Sequence, residues 1–302
     1  MRVEEFEFLY RLEATYWWFV GMRRITDSLM SDKLAEENIR ILDAGCGTGF
    51  NLKYYASGSR KLFGLDIADP AMLCIKRSGI NEVAQASVTA IPFRSELFDV
   101  VFSFEVVTHL PLELHDDAFR EMRRVLKPGG SLFIRVPAFR WLWSSHDEEI
   151  EAYCRYRLPE LEQKLTRAGF KIEWISYANG FLFPVILLNR FLKHLGIRKG
   201  SDVRPLPQGL AWVDGIFRRT LESEAKWFQS GRRLPLGLSL ICIAKNEGSQ
   251  KLEDRSKKKK RERSRSGFSS IFLLLTFLQR NALLRQPRVL HLRWKGRDAW
   301  AG

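Results

Sequence analysis

From residue 39 onward, short apolar runs alternate with longer amphipathic stretches, the pattern of strands followed by helices. Residues 39–43, 61–66, 81–86, 98–104, 131–136, 170–177 and 238–245 read as strands. The one at 98–104 is a nearly continuous apolar run, as burial on both faces of a parallel sheet requires. Residues 49–57, 70–78, 113–126 and 159–168 read as helices, with Asp69-Pro70 as an N-cap and first-turn proline. Ahead of the first strand, residues 3–30 read as helix, with Phe6, Leu9, Tyr10, Tyr16, Trp17 and Phe19 grouped and Ile25 and Leu29 following; Gly21 should divide it in two. About 60 residues separate the last two strands, far more than an ordinary connection. Strands alternating with helices make the expected fold class α/β, with a mostly parallel sheet.

The run Ile41-Leu42-Asp43-Ala44-Gly45-Cys46-Gly47-Thr48-Gly49-Phe50 ends the first strand in an acid and opens the next helix with three alternate glycines. Glycines at such a turn let the backbone approach a ligand, and the helix N-terminus behind them offers free N–H groups. A dinucleotide fingerprint needs G-x-G-x-x-G/A; here the third glycine comes one place early and Phe50 fills the small-residue slot. Asp66 ends the second strand, where an acid can accept hydrogen bonds from ribose hydroxyls.

Asp-x-Gly-x-Gly-x-Gly resembles motif I of the class I S-adenosylmethionine-dependent methyltransferases, and three later segments extend the likeness in the expected order over roughly residues 15–247. Ala86-Ser87-Val88-Thr89-Ala90-Ile91-Pro92-Phe93 resembles the family's Gly-Asp-Ala-x-x-Leu-Pro-Phe, with Ser87 where an Asp usually receives the adenine amino group. A neutral hydrogen bond there is about half as strong as a charged one, while the Val88 N–H still serves the ring. Phe98-Asp99-Val100-Val101 followed by Glu105-Val106-Val107-Thr108-His109-Leu110 resembles Phe-Asp-x-Val…Asp-Val-Leu-Glu-His-Leu, and Arg124-Val125-Leu126-Lys127-Pro128-Gly129-Gly130 also matches. The resemblance implies a Rossmann-like, seven-stranded, mostly parallel sheet with helices on both faces, an antiparallel last strand and a helical insertion before it, and S-adenosyl-L-methionine as cofactor. It implies Asp43, Gly45, Cys46, Gly47 and Gly49 at the turn, Asp66 and Ile67 at the ribose, Ser87 and Val88 at the adenine, and Ser103, Phe104 and Glu105 at the methionine end. It also implies an N-terminal lid over residues 1–38, with Trp18 and Arg23 as candidate contacts.

Two histidines are candidate catalytic bases. His109 stands where an acceptor would meet the methyl group, with helix capping or packing as the alternative. His146 lies in Trp141-Leu142-Trp143-Ser144-Ser145-His146-Asp147, able to pair with Asp147, while Arg155 could hold an anionic acceptor; the alternative is a hydrogen-bonded loop that buries both tryptophans. The insertion, about residues 180–236, begins with Phe181-Leu182-Phe183-Pro184-Val185-Ile186-Leu187-Leu188 and carries basic residues, so it could cap an acceptor pocket, lie on a membrane surface or pack on the sheet.

Charge narrows the partners. The chain of 302 residues carries a formal +14, but residues 251–302 hold +11 of it and residues 1–250 only +3. A nucleic-acid footprint belongs on the folded surface, so a nucleic-acid acceptor is disfavoured, and no Asn/Asp-Pro-Pro-Tyr/Phe element follows the fourth strand. Residues 248–302 read as a basic, disordered tail outside the fold, with an apolar run at 271–278 beside Lys257–Arg265 that could meet anionic lipid. Cysteines 46, 74, 154 and 242 show neither C-x-x-C nor metal spacing, consistent with core positions in a reduced cytoplasmic protein, no metal, and at most peripheral membrane contact. The expected reaction is methyl transfer to a small, hydrophobic or lipid-linked acceptor. Its rivals are a cofactor-binding or membrane-attached interaction protein without methyl transfer and a nicotinamide-dependent oxidoreductase.

Overall fold

Alternate residues of the central strands face opposite layers, and that period of two builds both halves of the core. The structure is a computed structural model that describes residues 3–77, 80, 82–194 and 211–248. Strands β1 (Arg40–Ala44), β2 (Lys61–Asp66), β3 (Val83–Gln85), β4 (Phe98–Phe104), β5 (Leu126–Pro137), β6 (Phe170–Ala178) and β7 (Ser239–Asn246) form one sheet in the order β3-β2-β1-β4-β5-β7-β6. The first five pair in parallel, and β7 runs antiparallel between β5 and β6. The expected α/β class is therefore found, with the β6–β7 pair at one end of the sheet.

Leu42, Ala44, Val101, Leu132 and Ile134 bury against α6 (His115–Val125) and α8 (Leu158–Arg167) through Phe119, Met122, Leu161 and Leu165. Ile41, Val100, Phe102, Phe133 and Ile241 face the opposite layer, where α2 (Trp17–Leu29) contributes Met22 and Ile25 and α10 (Ala211–Gln229) contributes Leu221, Ala225 and Phe228. A third cluster joins Phe6 of α1 (Val3–Thr15) to Leu52 of α4 (Phe50–Tyr55) and to Met72 and Ile75 of α5 (Asp69–Arg77). All four cysteines are buried, and none is in a disulfide.

The N-terminal helix divides at Tyr16, not at Gly21. Both ends created at Tyr16 are satisfied by α10. Asp214 accepts from the Trp17 N–H at 3.1 Å, and Arg218, paired with Asp214 at 2.6 Å, donates to the Thr15 carbonyl. Gly21 instead lies within α2 because α10 crosses it closely: a Cβ there would stand 2.3 Å from Leu221 Cδ1 and 2.7 Å from Leu221 Cβ. The insertion thus contributes a structural helix, anchored further by Glu224, whose buried carboxylate accepts from the N–H groups of Asn179, Gly180 and Phe181 at 2.5, 2.8 and 3.0 Å. Its other helix, α9 (Phe183–His194), leaves Val185, Leu187 and Leu188 exposed. The expectations for residues 195–210 and for the tail from 249, including its basic run and apolar segment, lie outside the described residues. Among the described residues, no helix is long and apolar enough to cross a membrane.

Gly21→Val should lower unfolding stability by about 1–3 kcal/mol, the usual cost of overpacking. Adding Leu221→Ala should recover part of that loss in chemical denaturation; no recovery would mean that the Gly21–Leu221 approach is not what α2 requires.

Candidate active site

Parallel strands β1, β2 and β4 end at one edge of the sheet, and the chain reverses there through the glycine turn. Gly47, in the left-handed region at φ +51°, donates its N–H to Asp66 Oδ2 at 2.8 Å, while the Ala68 N–H reaches Asp66 Oδ1 at 3.0 Å. No atom lies within 4 Å of where a Gly47 Cβ would stand, so the turn borders open space in front of Asp66. Ile67, beside it, is 68% exposed. Ser87 shares its hydroxyl with Thr89 Oγ1 at 2.7 Å and accepts from the Thr89 N–H at 3.2 Å, so it shapes a turn, and the Val88 side chain is in the core.

Two buried polar side chains at these strand ends have no hydrogen-bond partner among the described residues: both carboxylate oxygens of Asp43 and the hydroxyl of Ser103. Each would cost free energy in an apolar core unless a polar group arrives from outside. This arrangement fits a ligand that carries hydrogen-bond donors or positive charge. Burial, then the negative charges of Glu13 and Asp66, hold the Asp43 carboxyl well above its usual range.

Glu13 was not among the residues singled out from the sequence. Helix α1 packs against α4 and α5, with Tyr10 edge-on to Phe50 at 5.3 Å, and brings the Glu13 carboxylate into a hydrogen bond with the buried hydroxyl of Thr48 in the glycine turn. Burial raises Glu13 to about 7 against the opposing effects of Thr48, Arg23 and Arg135. Arg23 is buried, donates to the Glu13 carbonyl and lies 4.5 Å from the centre of the Phe50 ring and 5.2 Å from that of Tyr54.

Arg135 was missed as well, although a charged residue inside Ser-Leu-Phe-Ile-Arg-Val is itself a signal. Its buried guanidinium lies 4.9 Å from the Trp18 ring and 5.0 Å from the Phe104 ring, and its Nε donates to Glu105 at 3.0 Å. Glu105 takes φ +61°, a strained conformation for a residue with a side chain, and its N–H reaches the Arg135 carbonyl at 2.9 Å. Trp18, Phe104 and Glu105 are thus gathered around one cation.

The segment after β5 folds differently from expectation. His146 and Asp147 lie on α7 (Ser145–Glu149), and Asp147 does not pair with His146. It accepts from Arg155 Nε and Nη2 at 2.8 and 2.9 Å and from the Ser144 N–H and hydroxyl. Arg155 also donates to the Ala138 carbonyl at 3.1 Å and is buried, so it is committed to structure rather than free for an anionic acceptor. A bidentate guanidinium–carboxylate pair is the stronger geometry, and it outcompetes the adjacent imidazole. Burial alone would raise Asp147, yet Arg155 and Ser144 hold it below its ordinary value. Trp141 is 57% exposed and Trp143 is also exposed, so the segment does not bury them.

This segment is also fastened to the chain after β4. Thr108 donates to the Cys154 carbonyl at 2.5 Å, and the Tyr153 N–H reaches the Thr108 carbonyl at 2.8 Å. The Tyr156 hydroxyl meets buried His115 Nδ1, whose Nε2 contacts the Leu110 carbonyl at 3.0 Å and so carries the proton. Burial lowers His115 from its ordinary value. His109, one turn earlier, is exposed at the end of a short 3-10 turn, Val107–His109. His109 and His146 are not brought together with a shared carboxylate.

The chain matches the methyltransferase domain family over residues 42–134. It is 31% identical over 236 residues to a malonyl-[acyl-carrier protein] O-methyltransferase of Erwinia pyrifoliae, covering 72% of this chain and 83% of that protein. A protein of the same description from Enterobacter lignolyticus is 32% identical over 166 residues, 51% of this chain and 64% of the relative. A tRNA (carboxymethyluridine(34)-5-O)-methyltransferase of Arabidopsis thaliana is 36% identical over 153 residues, 50% of this chain and 34% of the relative. The match therefore spans less than two thirds of several relatives' own length, and their acceptors differ. The chain belongs to the class I S-adenosylmethionine-dependent methyltransferases. Its cofactor is S-adenosyl-L-methionine, not a nicotinamide dinucleotide. When bound, that cofactor supplies an electrophilic methyl group, and the protein's task is to hold donor and acceptor in line.

Asp147→Ala should destabilise the fold by about 3–5 kcal/mol, because Arg155 would remain buried without its counter-charge. Denaturant titration measures this, and a loss no larger than that of an exposed pair would contradict the assignment. For pH, the folded Asp147 and His115 both lie below their unfolded values. Their stabilisation is complete above the unfolded His value near 6.5. The His115 share disappears as pH falls from there through its folded value, and the Asp147 share only at lower, carboxylate pH. Glu13 and Asp43, raised in the fold, act in the opposite direction over this range, so the His115 share is read as a difference: on acidification from pH 7 to 5 the melting temperature of the unmodified protein should fall relative to that of His115→Gln.

Proposed function

We propose that the protein transfers a methyl group from S-adenosylmethionine to a small acceptor with an apolar portion, free or attached to a lipid or carrier. The observation that carries this reading is the exposed aromatic and aliphatic group beside the strand ends. Trp141 meets Phe183 edge-on at 6.1 Å, and Trp143, Tyr153, Phe181, Val185 and Leu188 are exposed nearby in the chain. Exposed apolar surface of this kind commonly marks a ligand or interaction site. The acyl-carrier acceptors named for the Erwinia and Enterobacter relatives are compatible with it.

In this reading the donor's ribose lies at Asp66 and Ile67, its adenine at Ser87 and Val88, and its amino-acid end at Asp43, Gly45, Cys46, Gly47, Gly49 and Phe104. Helices α1 and α2 act as the lid, with Trp18 and Arg23 on its inner side; Trp18 acts through Arg135 and Arg23 through Glu13. His109 is the better candidate base because it is exposed next to Thr108, which is fastened to residues 153–154, while His146 on α7 is part-buried. A base is needed only for an acceptor that still carries its proton.

Isothermal titration should show S-adenosylhomocysteine binding, and Asp66→Ala and Gly47→Arg should each weaken it about tenfold or more, the scale of one lost charge-assisted hydrogen bond. His109→Ala should lower turnover while leaving donor affinity within twofold, whereas equal turnover would return His109 to a structural role. Labelled S-adenosylmethionine incubated with a cell extract should label the lipid or small-molecule fraction. Label confined to protein or nucleic acid would contradict the acceptor class.

A further inference from the structure

Residues Phe183–Leu188, the first part of α9, are apolar all round, and only one side of them is buried. Leu182 and Ile186 pack onto the core layer of α2 and α10, and Phe183 is buried. Val185 and Leu188, neighbours three residues apart on the helix surface, are 51% and 58% exposed, and Phe181 in the preceding turn is exposed as well. A helix apolar on every side normally has all of them covered. Ring contacts carry this surface onward. Phe181 meets Trp227 of α10 edge-on at 6.0 Å, the exposed Arg232 lies 4.5 Å from the centre of the Trp227 ring, and Phe183 meets exposed Trp141 at 6.1 Å. Strands β5 and β6 both run antiparallel to β7, so this segment leaves the sheet at the same edge as the ends of β1, β2 and β4.

Charge selects what covers the surface. Residues 180–236 hold 10 Lys+Arg against 4 Asp+Glu, net +6, so the rest of residues 1–250, whose total is +3, is net −3. The positive charge of the body is therefore confined to the insertion that bears the exposed apolar face. Of its four acids, Glu224 is buried and committed to backbone N–H groups, and Asp214 is paired with Arg218. Aliphatic side chains beside tryptophan and arginine, on a positive segment, match an anionic bilayer surface: the aliphatic groups enter the acyl boundary, the rings stay at headgroup level and the guanidinium meets phosphate. Leucine and valine seldom form the hot spots of protein interfaces, whereas they partition readily into acyl chains.

We infer that this face docks the protein on an anionic lipid surface, with Val185 and Leu188 entering the acyl boundary and Arg232 meeting lipid phosphate. The inference rests on the proposed acceptor side and commits it to an acceptor presented from a bilayer. Docking turns the site edge of the sheet toward the lipid, so that a lipid-linked acceptor meets the methyl donor without leaving the membrane.

All four native cysteines are buried, so one exposed cysteine can be labelled selectively. In the full chain, Leu188→Cys and, at the opposite edge of the sheet ahead of β2, Ser57→Cys each carry an environment-sensitive fluorophore. On vesicles of phosphatidylcholine with phosphatidylglycerol, emission should shift to the blue at position 188 and stay unchanged at position 57. Adding Arg232→Gln to the position 188 probe should weaken vesicle binding about fivefold, the usual worth of one basic residue at an anionic surface. Adding Val185→Asp should weaken it about tenfold or more, through the lost burial of an aliphatic side chain. No shift at position 188, or an equal shift at position 57, would overturn the inference. Binding undiminished by both substitutions would overturn it too, by assigning vesicle binding to another part of the chain such as residues 249–302. A shift at position 188 with a purified acidic acyl-carrier protein and none with vesicles would replace the lipid surface by a protein partner. None of these results alters donor binding, which titration with S-adenosylhomocysteine reads separately.

Discussion

A carboxylate with no hydrogen-bond partner among the described residues, buried at the end of the first strand, is the constraint around which the site is arranged. Asp43 stands where β1 gives way to the glycine turn, and parallel pairing with β2 and β4 leaves it no freedom to turn toward solvent. A parallel sheet gathers the carboxyl ends of its strands at one edge, which is where open α/β folds bind ligands. Around Asp43 the protein places Asp66, bonded to the Gly47 and Ala68 N–H groups, and Arg135, held between Trp18 and Phe104. Every one of these groups would be a liability in a purely structural core. Together they make a polar site closed on one side by α1.

The insertion does two separate jobs. Helix α10 is part of the scaffold: through Asp214 and Arg218 it fixes the break between α1 and α2, and through Leu221 it requires Gly21. It thereby sets the angle at which α1 meets the glycine turn. Helix α9, by contrast, keeps an apolar surface exposed beside Trp141. The segment between β5 and α8 is braced within itself by the Asp147–Arg155 pair and held against the chain that follows β4 by the Thr108–Cys154 and Tyr156–His115 contacts.

The sheet was legible because its strands are local statements: a run of apolar residues ending in an acid, repeated at regular intervals, leaves few other folds. The glycine turn and Asp66 were legible for the same reason, since spacing alone distinguishes this turn from a dinucleotide one. What the sequence concealed depends on contacts between distant segments. Nothing near Gly21 announces Leu221, and nothing near Tyr16 announces Asp214, so the break in the N-terminal helix was expected at the wrong residue. Asp147 had an adjacent histidine and a more distant arginine; chain proximity favoured the first, and bidentate geometry in a buried site favoured the second. Glu13 belongs to no motif, and its place at the site depends on α1 lying across Thr48.

The central claim is that the donor lies across the ends of β1, β2 and β4 beneath α1. A crystal structure of the protein grown with S-adenosylhomocysteine tests it most directly. The account predicts ligand density with its ribose hydroxyls on Asp66 and its amino-acid end at Asp43, with α1 still closed over the turn. Density elsewhere on the molecule, or a ribose that leaves Asp66 bonded only to Gly47 and Ala68, would contradict it.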